Sequence, residues 1–291
     1  MKILIIIFLL LSGCGAEQAP GQSPGLTKID WIPDAAESSI VVWNGELMTV
    51  ASTRELSTTQ TGETTVKLYR GAEVISVPAP RFAFISAIVD KDILYIFGTI
   101  QNRYIQMVSS SNLYAWTSPV TVFEVSGVYN TSVAKDGTGF IMAYETDIGV
   151  PYTVQFAKSK DLVNWLPVSV PFHLNSYAAC PTIRYIDGKY YVFYLSSIGG
   201  KYVTLVERSN DLLSWEKTTS GYAVLAPEAT EGINASDMDM TELNGVTYMV
   251  YSVGDQATWG RLRIAVFNGT FSQFVSALFS QQPFVSTYFT P

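Results

Sequence analysis

One seven-residue stretch occurs three times along the chain, and its repetition decides the fold. The copies read SSNLYAW at residues 110–116, SKDLVNW at 159–165 and SNDLLSW at 209–215. Their tryptophans are 49 and 50 residues apart, and a degenerate fourth copy, NGTFSQF at 268–274, carries Phe in place of Trp. Each copy places polar turn residues between two apolar segments, which predicts a turn between two strands. A repeat of this length predicts an array of equivalent structural units.

A second marker, a turn sequence followed by an aromatic-rich strand, recurs upstream of the repeated turns. Asn-Gly and Asp-Gly pairs suit the positive φ angles of tight hairpin turns. The five instances are Asn44-Gly45, Asp90-Lys91-Asp92, Asp136-Gly137, Asp187-Gly188 and Asn244-Gly245. Five such turns predict five units.

Each unit contains four short strand-like segments. In the fourth unit they lie at residues 182–186, 190–195, 202–207 and 215–218. No window of 11 or more residues has the apolar periodicity of a helix. The sequence therefore predicts an all-β fold, a five-bladed β-propeller with four antiparallel strands per blade. A β-sandwich is the alternative all-β architecture, but sandwiches do not repeat a Leu-x-x-Trp turn at this spacing.

The composition agrees with an ordered, β-rich domain and excludes two classes of partner. The chain has 291 residues, of which 48% are hydrophobic and 15% are charged, so it can bury a substantial core. The formal net charge is −7 and no basic run occurs. Nucleic acid and anionic lipid surfaces are therefore poor partners for this chain.

The first residues are typical of a bacterial lipoprotein. An unbroken apolar run at 3–11 follows a single lysine and is too short to span a bilayer. The tetrapeptide LSGC at 11–14 resembles a lipobox, in which Cys14 is lipidated after the signal peptide is removed. The predicted parts are a signal peptide at 1–13, a flexible tether at 14–27 and the propeller at 28–291. The expected location is the bacterial cell envelope, lipid-anchored in the outer membrane, with an ordinary cleaved signal as the alternative.

In a propeller the first strand of each blade lines the central channel. The residues just before these strands and the loops after the second strands gather at one face. The first strands are predicted to begin near Ser38, Phe84, Thr131, Pro181 and Asp237. The sequence therefore predicts a pocket at one end of the channel, and side chains near these positions are its candidates.

The five-unit pattern, the Ser-x-Asp-Leu-x-x-Trp turns and the segment DGKYYVFY at 187–194 resemble the five-bladed glycoside hydrolases of families 43 and 32. The resemblance extends over about residues 30–280 and implies activity on glycosidic bonds. These relatives use an aspartate of the first blade as base or nucleophile, and a second aspartate in a later blade tunes a glutamate acid. In the invertase-like branch the glutamate belongs to a Glu-Cys-Pro motif that opens an inner strand.

The motifs that carry the family's chemistry are incomplete in this chain. Ala179-Cys180-Pro181 stands in the place of Glu-Cys-Pro, so the glutamate is replaced by alanine. Asp34 is the candidate for the first-blade aspartate, although the Asn-Asp-Pro form is absent. Because Ala179 cannot donate a proton, a hydrolase with this sequence needs an acid from elsewhere on the same face.

Acidic residues beside the predicted inner strands are the candidates for this chemistry. Glu145 ends the second strand of the third blade and Asp237 opens the inner strand of the fifth. With Asp34, they are the predicted catalytic residues. Asp239 shares the face of Asp237, where a carboxylate pair would raise one pKa or hold a cation. The predicted substrate-binding residues are Glu37, Arg81, Asn130, Tyr177, Glu231 and Trp259. For each of them, a structural role in a loop, an ion pair or packing is the alternative.

These observations fit a glycosidase acting on oligo- or polysaccharide at a pocket on the propeller axis. The alternative is a non-catalytic glycan-binding propeller lipoprotein, which the alanine at position 179 favours. A third possibility is an interaction scaffold at the cell surface, because propellers serve many roles. The expected partners are carbohydrate and, through the N-terminal lipid only, the membrane; the chain is expected to be monomeric. We expect no cofactor and no metal in the site, while a structural Ca²⁺ in the channel stays open.

Overall fold

The computed structural model describes residues 25–30, 35–53, 64–147, 152–172, 177–218, 222–255 and 257–280. The predicted signal peptide, the lipidation site Cys14, most of the predicted tether and the candidate Asp34 lie outside these ranges. Two residues assigned to the tether, Leu26 and Thr27, belong to a strand. Within the described ranges we find no helix with the length and hydropathy of a membrane span.

The described residues form nineteen strands and one helix. The strands are β1 Leu26–Asp30, β2 Ala35–Trp43, β3 Glu46–Thr53, β4 Thr64–Arg70, β5 Glu73–Asp90, β6 Ile93–Ile100, β7 Tyr104–Ser110, β8 Val120–Glu124, β9 Val128–Asp136, β10 Gly139–Thr146, β11 Thr153–Ser159, β12 Trp165–Phe172, β13 Ala179–Ile186, β14 Lys189–Ile198, β15 Lys201–Ser209, β16 Glu216–Lys217, β17 Asn234–Leu243, β18 Val246–Gly254 and β19 Gly260–Phe267. The helix is α1, Phe271–Phe279. The all-β fold predicted from the sequence is confirmed, and α1 is its one exception among the described residues.

Hydrogen bonds join the strands into three sheets, almost entirely antiparallel. Their orders are β2-β3-β4-β5-β6-β7-β8, β12-β11-β10-β9 and β1-β19-β18-β17-β15-β14-β13, with β16 beside β15. In the first sheet the long strand β5 pairs with β4 along its first part and with β6 along its second. In the last sheet a single parallel pair, Tyr202 with Asn234, links β15 to β17. We call the runs of antiparallel strands groups 1 to 5: β2–β5, β5–β8, β9–β12, β13–β16, and β17–β19 with β1.

The repeated turn has the same hydrogen bonds in all three copies. The serine Oγ accepts a hydrogen bond from the amide of the leucine, and the Asn or Asp side chain accepts from the two amides that follow the leucine. The tryptophan Nε1 donates to the leucine carbonyl. The leucines, Leu113, Leu162 and Leu212, have positive φ angles of 68°, 66° and 68°. This uncommon conformation turns each leucine inward, where it is buried.

Apolar layers lie between successive strand groups. Leu162 and Trp165 of group 3, for example, share a cluster with Phe97 of group 2. The series closes on itself, because Ile40 of group 1 shares a cluster with Val250 of group 5. The groups therefore follow one another in circular order, each packed against the next.

In each group, one strand contacts the equivalent strands of the two neighbouring groups. These strands are β2, β5, β9, β13 and β17, and β17 contacts β2. We call these five the inner strands. Side-chain hydroxyls bridge neighbouring inner strands. Ser39 Oγ accepts the Ala87 amide at 2.9 Å, and the Ser86 and Thr131 hydroxyls lie 3.1 Å apart. Ser132 Oγ accepts the Ile183 amide at 3.1 Å, and the Thr182 hydroxyl donates to the Met238 carbonyl. This hydroxyl ring fixes the inner strands relative to one another.

Asp239 completes the hydroxyl ring between β17 and β2. Its carboxylate accepts hydrogen bonds from the Ser39 hydroxyl and, at 3.1 Å, from the Ile40 amide. It also pairs with the guanidinium of Arg184 on β13. The sequence left open a cation beside Asp239 and Asp237, whereas the structure gives the Asp239 carboxylate an arginine partner.

Each inner strand carries a β-bulge next to the hydroxyl ring. The bulged intervals are Ala35–Ser38, Ala83–Ser86, Val128–Thr131, Ala179–Thr182 and Ser236–Asp239, each a three-residue step paired with a two-residue step. Among their described residues, Phe84, Cys180 and Asp237 have positive φ angles of 54°, 49° and 51°. Bulges change the direction in which side chains point. Here they lie at the end of the inner strands where the candidate site is formed.

Strand β1 completes group 5 from the N-terminal side. It pairs antiparallel with β19, from Leu26 opposite Phe267 to Asp30 opposite Arg263. The first described strand of the chain is therefore the outer strand of the last group. This pairing joins the two ends of the described chain in one sheet.

A buried ion cluster fastens β1 to group 5. Lys28 Nζ lies 2.7 Å from Glu231 Oε2, while Arg263 Nη1 and the Tyr251 hydroxyl each lie 2.6 Å from Glu231 Oε1. Burial opposes ionisation of Glu231, but the bonds from Lys28 and Tyr251 hold its pKa below the ordinary value. Lys28 and Glu231 side chains are 3% and 0% exposed, so this pair is shielded from solvent.

Helix α1 occupies the place where the sequence predicted a degenerate fourth copy of the turn. Thr270 caps it, and the Thr270 and Gln273 side chains form a capping box. Phe274, Val275 and Leu278 are buried against groups 4 and 5. Their spacing is helical but extends over too few residues for an 11-residue window to detect.

Candidate functional site

The bulges of all five inner strands open into one pocket of about 370 Å³, its open mouth included. Its lining residues are Glu37, Ser38, Ile85, Ser86, Asn130, Thr131, Ser132, Cys180, Pro181, Thr182, Asp237, Met238 and Asp239. Three residues predicted from the sequence, Glu37, Asn130 and Asp237, are among them. Side chains of the hydroxyl ring also line the pocket, namely Ser86, Thr131, Ser132, Thr182 and Asp239.

Glu145, at the end of β10, lies against this pocket with 3% of its surface exposed. Its Oε2 accepts the Cys180 amide at 2.7 Å and Asn130 Nδ2 at 3.0 Å. Burial raises the pKa of Glu145 to about 7, and the negative charge of Asp237 adds to the rise, whereas the two hydrogen bonds oppose it. Glu145 is therefore balanced between its protonated and ionised forms near neutral pH.

Glu37 faces the same space from β2. Its Oε2 accepts the Phe84 amide at 2.7 Å, and its own amide donates to Ser52 Oγ at 3.1 Å. Burial raises the pKa of Glu37 to about 7, and the charges of Asp237 and, to a smaller extent, Glu145 add to this rise. Two glutamates on separate strand groups thus share one electrostatic environment.

Asp237 lies in the bulge of β17 and supplies the charge that acts on both glutamates. The positive φ angle of Asp237 belongs to the bulge that interrupts the pairing of β17 with β18. The Ser236 hydroxyl donates a hydrogen bond to Asp237 Oδ2. Asn234 Oδ1 accepts from the same hydroxyl at 2.8 Å, so the segment before the bulge is fixed by side chains. Carboxyl groups of groups 1, 3 and 5 therefore converge at the pocket.

Cys180 occupies the bulge of β13 and is free of disulfide bonds. Asn130 Nδ2 lies 3.4 Å from its sulfur. Burial raises the pKa of the Cys180 thiol, and the charges of Asp237 and Glu145 raise it further. The thiol is therefore held in its protonated form, which is a poor nucleophile. What Cys180 offers to the site is its backbone amide, which the positive φ angle directs to Glu145.

Four aromatic rings form an arc beside the carboxyl groups. Centroid distances are 5.5 Å from Phe84 to Tyr129, 6.0 Å from Tyr129 to Tyr152 and 5.6 Å from Tyr152 to Tyr177. Tyr177, a predicted binding residue, is 37% exposed at the end of this arc. The sequence marked Phe84 only as the start of an inner strand and did not single out Tyr129 or Tyr152, because the three rings come from two bulges and the segment before β11 and share no motif.

The remaining predicted residues lie away from the pocket lining. Arg81 is exposed on β5, three positions before Phe84. Trp259 is 41% exposed in the loop before β19, close to Gly232. Glu231 belongs to the buried ion cluster with Lys28, where it fastens β1. Asp34 lies outside the described residues, so its role stays a prediction.

The arrangement brings together groups that can exchange a proton and a carboxylate that can stabilise positive charge. Cleavage of a glycosidic bond needs one protonated and one ionised carboxyl on either side of the bond. Raised pKa values in a polar pocket are typical of such acids. Within the described residues, no group of three or more His, Cys, Asp or Glu side chains has the arrangement of a metal site.

No protein-family model and no curated protein sequence matches the chain. Solved structures do match it. An α-L-arabinofuranosidase from Podospora anserina in complex with cellotriose is 13% identical, with a TM-score of 0.62 over 87% of this chain and 96% of its own. One from Clostridium thermocellum is 15% identical, with a TM-score of 0.58 over 74% of this chain and 81% of its own. A thermostable family-43 glycoside hydrolase is 13% identical, with a TM-score of 0.61 over 86% and 92%.

Identities this low establish a likeness of fold and nothing finer. The resemblance inferred from the repeated turns is confirmed at that level. The chain has the fold of the family 43 glycoside hydrolases.

Proposed function

We propose that this protein is a glycosidase whose active centre is the pocket bounded by Glu37, Glu145 and Asp237. The observation that carries the proposal is the convergence of three carboxyl groups from three strand groups, two of them with a pKa of about 7. An ion pair that only stabilises the fold needs one acid, not three acids beside one pocket. A reaction that moves a proton while stabilising an oxocarbenium-like charge does.

In this proposal Glu145 is the general acid. Two N–H donors occupy its Oε2, so the proton of the neutral form resides on Oε1. Glu145 reaches the start of β13 from the neighbouring group and so provides the carboxyl that Ala179 lacks. Asp237 is the partner that acts as nucleophile or activates water. Glu37 binds substrate hydroxyls through a carboxyl fixed by the Phe84 amide.

The fold likeness supports carbohydrate as the substrate class. The Podospora anserina structure is a complex with cellotriose, and another similar structure is named as an RGII complex. The exposed ring of Tyr177 and the arc behind it offer apolar faces on which sugar rings can pack. We further propose that the five strand groups are the blades of a five-bladed propeller, anchored to the cell envelope through a lipid on Cys14.

The test is a turnover screen of the full chain against aryl glycosides and plant oligosaccharides. The wild-type protein is compared with Glu145→Gln and Asp237→Asn. Glu73→Gln is the matched control, since Glu73 is an exposed carboxylate at the far end of β5. We expect both pocket variants to lose roughly 10²-fold or more in turnover, while the control keeps wild-type activity.

Two results would contradict the proposal. Turnover unchanged in both pocket variants would place the chemistry elsewhere. Sugar binding without turnover in the wild-type protein would support the non-catalytic glycan-binding alternative, which isothermal titration with the same oligosaccharides detects.

A further inference from the structure

The repeated turns expose an apolar side chain at the same position in three strand groups. The residue after each inward leucine is Tyr114, Val163 or Leu213, and these are 68%, 41% and 56% exposed. Because the leucine has a positive φ angle and is buried, the next side chain is directed outward. Hairpin turns of soluble domains usually place polar residues there.

All three turns lie at the end of the molecule opposite the pocket. In group 4 the pocket residue Thr182 pairs with Phe193, while Ser209, which begins the turn, pairs with Tyr190 at the other end of β14. Ser110 pairs likewise with the start of β6, and Ser159 with the start of β10. We call this end of the molecule the lower face.

Two further apolar side chains lie at the lower face. Leu166, directly after the turn of group 3, is 75% exposed, and Val74, beside the β4–β5 turn of group 1, is 46% exposed. Four adjacent groups therefore each present at least one apolar side chain at the same end. The repeated turns carry two carboxylates, Asp161 and Asp211, and one lysine, Lys160, so they do not form a basic surface.

The N-terminal segment enters the domain at the lower face. Leu26 pairs with Phe267, which also pairs with Thr247 near the β17–β18 turn. The opposite end of the same sheet, where Asn234 pairs with Gly254, is the pocket end. Residues 1–24 precede this strand, and the predicted lipid site Cys14 is twelve positions before Leu26.

On the basis of the lipid anchor at Cys14 proposed above, we propose that the lower face itself lies on the lipid bilayer, with Tyr114, Val163 and Leu213 inserted into its interfacial region. The predicted tether separates Cys14 from Leu26 by twelve positions, and a flexible chain of that length has a mean span of about 20 Å, which would hold the lower face close to the membrane surface at a high effective concentration. The pocket then faces away from the membrane. The contact is apolar, because the carboxylates of the turns disfavour anionic lipid.

The test uses the full chain, purified from membranes and reconstituted into phosphatidylcholine vesicles. A single environment-sensitive NBD label is placed through Val163→Cys at the lower face or through Ile233→Cys at the pocket end. Ile233 is also partly exposed, and unmodified protein gives the labelling background of Cys180. We expect the label at 163 to be quenched by brominated lipid, and the label at 233 to be unaffected.

The triple variant Tyr114→Ser, Val163→Ser and Leu213→Ser carries its label at Leu166→Cys. Quenching of this label by brominated lipid should be roughly tenfold weaker than in the reference. Labelled Leu166→Cys alone is its reference, and Tyr222→Ser, at an exposed position outside the lower face, is the matched control. Quenching of the label at 233 that equals or exceeds quenching at 163 would overturn the proposed orientation. A full chain that stays out of the membrane would overturn the Cys14 anchor, and with it the proposal that rests on the anchor. None of these readouts needs turnover, so the outcome is independent of the proposed glycosidase activity.

Discussion

Asn130 Nδ2 lies 3.0 Å from Glu145 Oε2, across adjacent strands of one group. This bond favours the ionised carboxylate and so lowers the pKa of Glu145 against the rise caused by burial. We predict that Asn130→Ala raises the pKa of Glu145. If Glu145 is the acid, the fall of kcat/KM on the alkaline side, near pH 7 in the wild-type protein, moves to higher pH. Carbon-13 NMR titration of the Glu145 carboxyl measures the same shift without turnover.

Asn164→Ala is the matched control for this experiment. Asn164 Nδ2 donates to Asp161 at 2.8 Å, a bond of the same kind in an exposed turn. Its removal should leave the pH profile unchanged. An alkaline fall at the wild-type pH in Asn130→Ala would argue that another group is the acid.

The raised pKa of Glu145 makes stability depend on pH. Between pH 4.5 and about 7 the folded state retains a proton that the unfolded state has released, so stability falls as the pH rises through this range. Over this interval the loss from one such buried carboxyl is about 3 kcal/mol. We predict that Glu145→Gln removes this part of the decline, which urea unfolding at pH 5 and pH 8 measures. If the stability of the variant depended on pH as strongly as that of the wild-type protein, the pKa of Glu145 would not be raised in the folded state.

The Lys28–Glu231 pair predicts how strongly the N-terminal strand contributes to stability. Lys28→Met leaves Glu231 fully buried with fewer partners, which is expected to lower the free energy of unfolding by about 3 kcal/mol. Adding Glu231→Gln to this variant should cost less than Glu231→Gln costs in the wild-type protein, because the bond between Lys28 and Glu231 is already lost. The control is Arg103→Ala, whose pair with Glu124 is exposed and whose removal should leave the urea midpoint unchanged. Additive losses in the double variant would contradict a coupled pair.

Thr270 caps the N-terminus of α1, and removing its side chain should lower the stability of the protein. Its side chain accepts the Gln273 amide at 3.2 Å, and Thr270→Ala should lower stability by about 1 kcal/mol. Ser276→Ala, at an exposed position of the same helix, is expected to change stability little or to raise it. Thermal unfolding of the two variants distinguishes loss of the cap from a general effect of alanine.

The features that the sequence predicted well are those set by local chemistry. The Ser, Asp, Leu and Trp of the repeated turn make hydrogen bonds within seven residues, so their pattern is visible in the chain itself. The turn before Glu46 and the strand around Tyr190 follow for the same reason. These local units predicted the strands, and their spacing carried the resemblance to family 43.

The features that the sequence did not predict depend on contacts between distant residues. Glu231 looked like a candidate for the pocket because it precedes an inner strand, yet Lys28, 203 positions earlier, gives it a structural partner. Likewise, nothing in the sequence around Cys180 indicates that its amide will meet Glu145. The capping box of α1 corresponds to a Thr-x-x-Gln pattern in the sequence. The apolar face that follows this pattern extends over only nine residues, which is too short for its helical periodicity to be recognised.

Strand β5 belongs to two groups at once, because its 18 residues pair with β4 and then with β6. Groups 1 and 2 therefore have no loop between them that could act as a hinge. Opening of either group disrupts the backbone ladder of the other, so the two should exchange their amide hydrogens as one cooperative unit. Groups 4 and 5 are also joined within one sheet, by a single parallel pair. Group 3 has a sheet of its own among the described strands, so its junctions with groups 2 and 4 rest on side-chain packing and have more freedom to open separately.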